Sequence, residues 1–511
     1  MRGKSLMFMG TASSAGKSTL CAAVLRILRQ DGLRVAPFKA QNMALNSFAT
    51  AEGLEMGRAQ ATQAQAAGLE PSVRMNPVLL KPTSDRRSQV VVNGRAVGTM
   101  SAMEYEAFKP RLRGMIREVY DELERDVDAV VIEGAGSPAE INLKAGDIVN
   151  MSMAKAADAP VILIGDINPG GVFAALYGTV MLLDADERAR VKGIVINKFR
   201  GDVKILEPGL DMLEGLLGIP VIGVIPWIDL DLEDEDSVTG RFARRSGPGQ
   251  IRAAIVRLPH IANFTDFNLL PGEPDVSVAY VDNADGLEGA DIILLPGTKN
   301  TIEDLEWLRR RGIADAVVRH ARSGGMVVGV CGGYQMLGKA LRDPLHTESR
   351  LPGAAGLGLL DFDVTFAAEK RTAQASGTVD CAGGWMKALN GVLLDGYEIH
   401  SGVNAFGTDC VPFLCLNGRA EPDGVTNQRG NVLGTYLHGL FDTGVFWRAL
   451  VDHVRAEKGL DAGKGEVMTL SEHREREFDR LASVVRQNLD MDSVYRILRG
   501  EEVPCGRWKE D

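Results

Sequence analysis

A short apolar run, Leu6-Met7-Phe8-Met9, breaks into Gly10-Thr11-Ala12-Ser13-Ser14-Ala15-Gly16-Lys17-Ser18-Thr19, and Leu20–Leu28 continues with helical character. Strand, glycine loop, Lys-Ser and helix in that order commit the start of the chain to a P-loop on a parallel sheet. The backbone N–H groups and the helix N-terminus of such a loop cradle phosphate oxygens. Lys17 is then placed for terminal phosphates and the Ser18 hydroxyl for Mg²⁺. Five residues, not four, separate Gly10 from Gly16, so the loop is one residue longer than the usual spacing. Gly10, Gly16, Lys17, Ser18 and Thr19 are the expected ATP-binding residues.

Further apolar runs repeat the strand signal. Val127–Ile132 ends in Glu133-Gly134-Ala135-Gly136, Val161–Ile164 ends in Gly165-Asp166, Gly193–Ile196 ends in Asn197-Lys198, and Val221–Ile225 ends in Pro226. Helical stretches such as Met103–Leu123 and Leu206–Leu217 alternate with them. This is the pattern of a doubly wound α/β domain with its ligands at the carboxyl ends of the strands. Glu133 falls where a carboxylate helps to hold Mg²⁺ beside a P-loop. Asn197 can pair with a purine edge through its carboxamide. After strand Arg34-Val35-Ala36 comes Lys39-Ala40-Gln41-Asn42-Met43-Ala44-Leu45-Asn46-Ser47, rich in amides beside one cation. Lys39, Gln41, Asn42 and Asn46 suit carboxylate and amide recognition, or else the stretch is a capped helix start. Leu80–Gln89 adds cations that suit an acidic substrate.

With 511 residues the chain holds at least two domains. The acidic run Asp229–Asp236 and the Gly/Pro-containing sequence through Gly249 mark the boundary. The expected division is 1–235 for the ATP-dependent domain, 236–250 for a linker, 251–460 for a second α/β domain and 461–511 for a helical extension with no chemistry assigned. A net charge of −11 argues against nucleic-acid binding. No uninterrupted apolar stretch suits a membrane span, and the apolar start is too short for a signal peptide. Six scattered cysteines without a CxxC pair fit a cytoplasmic protein.

In the second half, Val327-Val328-Gly329-Val330 stops at Cys331-Gly332-Gly333, and a helical pattern follows. This is the form of a nucleophile elbow, with glycines admitting close backbone approach. The helix behind Cys331 favours its thiolate. Asp291–Leu295 ends in Pro296-Gly297-Thr298, so backbone N–H groups at Gly297 and Gly332 are candidates for an oxyanion hole. The nucleophile needs a base. His438, at the end of the strand-like Val432–Leu437 and followed by a glycine, is preferred over His400.

Gly10–Thr19, Lys39–Ser47, Asp166-Ile167-Asn168-Pro169-Gly170-Gly171-Val172-Phe173, Asn197–Asp202, Leu295–Thr301, Cys331–Gln335 and Tyr436-Leu437-His438-Gly439 together resemble the cobyric acid synthases, glutamine-hydrolysing amidotransferases of the adenosylcobalamin pathway. The first half is similar to dethiobiotin synthetase-like ATPases and the second to class I Cys-His glutaminases. The resemblance implies amidation of the b, d, e and g carboxylates of adenosylcobyrinic acid a,c-diamide, with one ATP and one glutamine per amide and with Mg²⁺. It implies Cys331 as nucleophile, His438 as its base, and Lys17, Ser18 and Glu133 for phosphate and metal. Class I glutaminases usually carry an acid two residues after the histidine. Here Gly439-Leu440 follows, as in this branch, which leaves open what orients the His438 ring. Asn168-Pro169 also departs from the family's Asp-Arg. The alternatives are a cobyrinic acid a,c-diamide synthase, or a P-loop regulatory ATPase with a non-catalytic cysteine domain.

Overall fold

The computed structural model describes residues 4–44, 46–84, 87–230, 249–273, 275–381, 384–416, 423–463 and 467–508. The acidic run from 231 onward and the linker through 248 lie outside the described residues. The chain divides into two compact units, residues 1–44, 55–235 and 474–511, and residues 45–54 and 236–473. No helix among the described residues is long and apolar enough to cross a membrane.

Among the described residues, the first unit is built on a six-stranded sheet. Its order is Val221–Pro226, Val191–Phe199, Val161–Asp166, Lys4–Gly10, Ala129–Glu133 and Val35–Phe38, and every pairing is parallel. The central strands are apolar at nearly every position because helices cover both faces. Lys4–Gly10 sits between Ala129–Glu133 and Val161–Asp166, at the point where the strand order reverses. The P-loop therefore opens into the crevice where α/β sheets bind ligands. Helix Lys17–Gln30 buries Leu20, Val24, Leu25 and Leu28 against the sheet.

The C-terminal helices Leu470–Asn488 and Met491–Leu498 carry Phe478, Leu481, Val485, Val494 and Ile497 into the same core. Arg26, almost wholly buried, fixes this return by pairing with Glu475 and Asp479 at 2.8 Å each. Two local expectations give way. Met103–Leu123 is not one helix: a 3₁₀ turn at Lys109–Arg111 separates Ala102–Phe108 from Leu112–Asp126. Pro110 lacks an N–H donor and its ring obstructs the preceding turn. Lys39–Ser47 starts no helix but contributes to the short strands Gln41–Met43 and Ser47–Ala49.

The second unit holds an eleven-stranded sheet among the described residues. Val276–Val281, Ile251–Val256, Ile292–Leu295, Met326–Val330 and Val432–Thr435 run parallel in that order. Antiparallel strands extend from Val432–Thr435 through Asp423–Thr426 and Val411–Leu416 to the long hairpin Phe362–Val379 with Leu393–Phe406. The central pair, Met326–Val330 and Val432–Thr435, ends just before Cys331 and His438 respectively. Neighbouring parallel strands thus deliver both side chains to one end of the sheet.

Candidate active site

In the second unit, Cys331 occupies the turn between strand Met326–Val330 and helix Gly332–Leu337, with φ 52° and ψ −108°. A non-glycine residue held there is strained, a feature that clusters at functional sites. The turn is fixed from both sides, because Cys331 N–H donates to Thr435 O at 2.9 Å and Gln335 N–H donates to Cys331 O at 3.0 Å. Gly333 makes the turn possible: a Cβ there would stand 2.0 Å from Leu295 O. Gly297 closes the other side, its missing Cβ lying 3.4 Å from the His438 ring and 3.7 Å from Cys331 Cβ. The elbow residues expected from the sequence therefore converge on one point.

His438 is wholly buried. It pairs with Tyr397 through two backbone hydrogen bonds of 2.9 and 3.1 Å, and the Tyr397 ring stacks on the imidazole at 4.9 Å. Its Nδ1–H donates to Asp266 Oδ2 at 2.8 Å, while the Cys331 thiol donates to Ile399 O at 3.5 Å. Burial works against the imidazolium, but the Asp266 charge and hydrogen bond and the Cys331 sulfur outweigh it and hold the group up to about 10. Asp266 is itself buried, on a 3₁₀ turn spanning Phe264–Phe267. Asn263 lies 3.4 Å from His438 Nε2. His400, the competing base, stacks on Tyr436 at 3.7 Å and directs Nδ1 to Gly402 O at 2.9 Å.

Beside the elbow, Thr301 Oγ1 donates to Gln335 Oε1 at 2.9 Å and reaches Glu348 Oε2 at 3.2 Å. Burial pushes the Glu348 carboxyl up to about 7, while Lys299 and Thr301 pull it back. Gln335 Nε2 donates to the Tyr436 hydroxyl at 3.4 Å, and that hydroxyl donates to Asn404 Oδ1 at 2.6 Å. A polar wall of fixed hydrogen-bonding groups thus lines one flank of the nucleophile.

In the first unit, Glu133 is a hub. Its Oε1 accepts from Ser18 Oγ and from Lys39 Nζ, each at 2.8 Å, and its Oε2 accepts from Gln63 Nε2 at 2.6 Å and Gln60 Nε2 at 3.5 Å. Lys39 and Glu133 are both buried, so the pair is an ion pair with little water around it. Lys17 Nζ donates to Ala12 O at 3.0 Å and Gly136 O at 3.1 Å, across the mouth of the loop. Gly16 has φ 96°, and a Cβ there would meet Asn197 Nδ2 at 2.0 Å. That nitrogen donates to Ala15 O at 2.8 Å, so Asn197 braces the P-loop itself.

A hydroxyl and a carboxylate oxygen 2.8 Å apart at the loop are hard donors of the kind Mg²⁺ takes beside phosphates. Gln63 Oε1 adds a buried acceptor with no hydrogen-bond partner, and its amide nitrogen already holds Glu133. Such an acceptor suits a metal-bound water. The residues present fit the ion.

The four amide-and-lysine positions are divided between the two units. Asn42 Nδ2 donates to Gln60 Oε1 at 2.8 Å, which links it to the Glu133 hub, and Gln41 accepts from Tyr105 at 2.7 Å. Asn46 belongs to the second unit, where Oδ1 accepts from Asn263 N–H at 3.1 Å. Of the Leu80–Gln89 cations, the two among the described residues are engaged separately: Lys81 is buried against Glu55, while Arg87 directs its guanidinium to Thr99 O. Asp85 and Arg86 lie outside the described residues.

Asp266, Gln60, Gln63 and Glu348 were not singled out from the sequence. The trace left by Asp266 is slight: it is the lone charge between His260 and Glu273, and it sits between two phenylalanines.

Residues 6–237 match the CobQ/CobB/MinD/ParA nucleotide binding domain, and residues 252–446 match the CobB/CobQ-like glutamine amidotransferase domain. Among curated proteins, the chain is 50% identical to a cobyric acid synthase of Photorhabdus laumondii, over 97% of this chain and 98% of that one. It is 51% identical to those of Salmonella agona and Alkaliphilus metalliredigens, over 98% and 97% of this chain and 99% and 100% of theirs.

Proposed function

The chain belongs to the cobyric acid synthase family, and from that premise we propose that it amidates the b, d, e and g carboxylates of adenosylcobyrinic acid a,c-diamide, using glutamine as nitrogen donor and ATP as energy source. It is a glutamine-dependent ligase of cobalamin biosynthesis. The observation that carries the mechanism is the buried Cys331–His438–Asp266 array in one unit and the Ser18–Glu133–Lys39 hub on the P-loop in the other.

In the glutaminase reaction His438 takes the Cys331 thiol proton, and the thiolate attacks the carboxamide carbon of glutamine. Backbone N–H groups at Gly297 and Gly332 receive the oxyanion that forms. His438, held as imidazolium by Asp266, gives its proton to the departing nitrogen as the C–N bond breaks, which leaves a thioester and ammonia. Water then attacks the thioester with His438 as base, releasing glutamate and the sulfur. Glu348 gives the α-ammonium of glutamine a counter-charge, beside the Thr301–Gln335 pair.

At the P-loop a substrate carboxylate oxygen attacks the terminal phosphorus of ATP, ADP leaves, and an acyl phosphate forms. Ammonia attacks its carbonyl carbon, and phosphate leaves as the amide forms. Lys17 holds the terminal phosphates, and Gly10, Gly16 and Thr19 shape their cradle. Asn197 keeps that cradle in form. Ser18 and Glu133 would hold Mg²⁺, which neutralises phosphate charge when bound. Lys39 balances the Glu133 carboxylate. The uncharged amide of Gln41 meets a substrate that itself presents amides and carboxylates, and Asn42, buried and bonded to Gln60, braces the hub beside it instead of reaching the substrate. Asn46 supports Asn263 beside His438.

The test is mass spectrometry of corrinoid products after incubation with ATP and glutamine. The a,c-diamide is expected to gain amides at its remaining side-chain carboxylates and stop at the hexa-amide level. Conversion of unamidated cobyrinic acid to the a,c-diamide, with no further product, would assign the chain to the alternative reaction. Absence of both amidation and glutamate release would favour a regulatory ATPase.

A further inference from the structure

Residues 46–54 come from the amino-terminal half of the chain, yet they fold into the second unit. Their short strand Ser47–Ala49 lies against both arms of the hairpin Phe362–Val379 and Leu393–Phe406. Ala49 O accepts from Gln374 Nε2. Gly53 runs so near the same hairpin that a Cβ there would stand 3.1 Å from Thr372 O. Thr50 N–H donates to Leu54 O at 2.8 Å and Gly53 N–H to Thr50 O at 2.9 Å, which closes the stretch into a turn. So short a strand has little stability of its own, and its packing on the hairpin is what fixes it.

Three side chains of this stretch lead to the nucleophile and its base. Asn46, wholly buried, accepts through Oδ1 from Asn263 N–H at 3.1 Å. Asn263 has φ 52° and ψ 35°, in the left-handed region, and its own amide lies 3.4 Å from His438 Nε2. A buried N–H requires an acceptor, so Asn46 holds that backbone turn where it stands. Phe48 sets its ring 6.0 Å from that of Tyr397, and Tyr397 stacks on the His438 imidazole at 4.9 Å. Ala49 is buried with Tyr397 and Ile399 in one apolar cluster, and Ile399 O accepts from the Cys331 thiol at 3.5 Å. Each of these contact chains passes through a single intermediary. Asn46, Phe48 and Ala49 are all uncharged, so none competes with Asp266 for the imidazolium.

We propose that residues 46–54 are a positioning element of the glutaminase, in which Asn46 acts through Asn263 and Phe48 through Tyr397 to hold the His438 ring toward Cys331. The proposal rests on the reading of His438 as the base of glutamine hydrolysis. It puts the rate of ammonia release under the control of a stretch that follows Asn42, bonded to Gln60 of the Glu133 hub, directly along the chain.

Steady-state glutaminase kinetics of full-length variants test it. Asn46→Ala and Phe48→Ala are each expected to lower kcat for glutamate release by about 10–100-fold, the cost of a displaced catalytic group. KM for glutamine is expected to stay within about 3-fold, because the loss falls on the base and not on substrate binding, and such a KM also reports a folded glutaminase. Phe48→Tyr keeps the ring and is expected to keep the wild-type kcat. Ammonia-dependent amidation is expected at the wild-type rate in every variant. Unchanged kcat in both alanine variants, a rise in KM alone, or an equal fall with glutamine and with ammonia as nitrogen source would overturn the proposal. His438→Ala separates it from the reading beneath it. Wild-type glutamate release in that variant removes the assignment of the base, and the positioning element with it. Loss of glutamate release there, beside unaltered Asn46→Ala and Phe48→Ala, removes the positioning element alone.

Discussion

Cys331→Ser abolishes glutamine-dependent amidation and leaves ammonia-dependent amidation at the wild-type rate. The sulfur is replaced by an oxygen that the same histidine activates far less readily, so glutamate release falls by roughly 10⁴–10⁶-fold, the size of loss seen when a nucleophile is removed. The backbone conformation at φ 52° is kept, because serine adds no atom to the turn. The Glu133 hub is expected to be unchanged, since Ser18, Lys39, Gln60 and Gln63, which bond to Glu133, all belong to the first unit. Amidation from supplied ammonium salts, followed by corrinoid mass, is the measurement. Equal loss of both nitrogen sources would mean that one site performs both reactions.

Asp266→Asn lowers glutamine hydrolysis by on the order of 10²–10⁴-fold while the protein stays folded. The asparagine can still meet His438 Nδ1 at 2.8 Å, but it brings no charge. Burial disfavours the imidazolium, and Asp266 is the largest influence raising it to about 10. The sign follows directly. In the wild type the imidazolium that protonates the leaving ammonia is lost as pH rises through about 10. In Asp266→Asn burial prevails and the proton is lost at lower pH. The alkaline limb of the glutaminase pH profile therefore moves toward acid, which a merely structural residue would not cause. A profile that falls in height without moving would remove Asp266 from its place as the residue that positions and charges His438. Ammonia-dependent amidation remains the internal control.

These two residues also mark how far the chain could be read as sequence. Cys331 was legible because its chemistry is local. An apolar strand, a cysteine and two glycines are consecutive, and the structure needs each of them where it stands, with Gly333 pressed on Leu295 O. The P-loop was legible for the same reason, and so was the parallel sheet, whose strands are continuous apolar runs. Asp266 was not legible, because it lies 172 residues from His438 and on a turn with neither helical nor strand periodicity. Only the packed second unit brings the two together. Glu133 illustrates the middle case. Its position after a strand pointed to metal, but its pairing with Lys39, 94 residues away, and with Gln63 depends on tertiary packing. The amide-rich stretch read as one recognition element is divided after Ala44, with Asn46 serving the unit that holds His438. The C-terminal stretch reads as solvated helix packed on one face, and the core that its apolar stripe joins, that of the first unit, is set by tertiary packing.

The central claim is that ATP activates the carboxylate and that Cys331 only supplies the nitrogen. It is tested most directly by following oxygen. A corrinoid substrate carrying ¹⁸O in its free carboxylates is incubated with ATP and glutamine, and the inorganic phosphate is analysed by mass spectrometry. If the carboxylate attacks the terminal phosphorus, each amide formed delivers one ¹⁸O to phosphate, and Cys331→Ser supplied with ammonia gives the same transfer. Unlabelled phosphate alongside amide formation, or label found in AMP, would contradict the account.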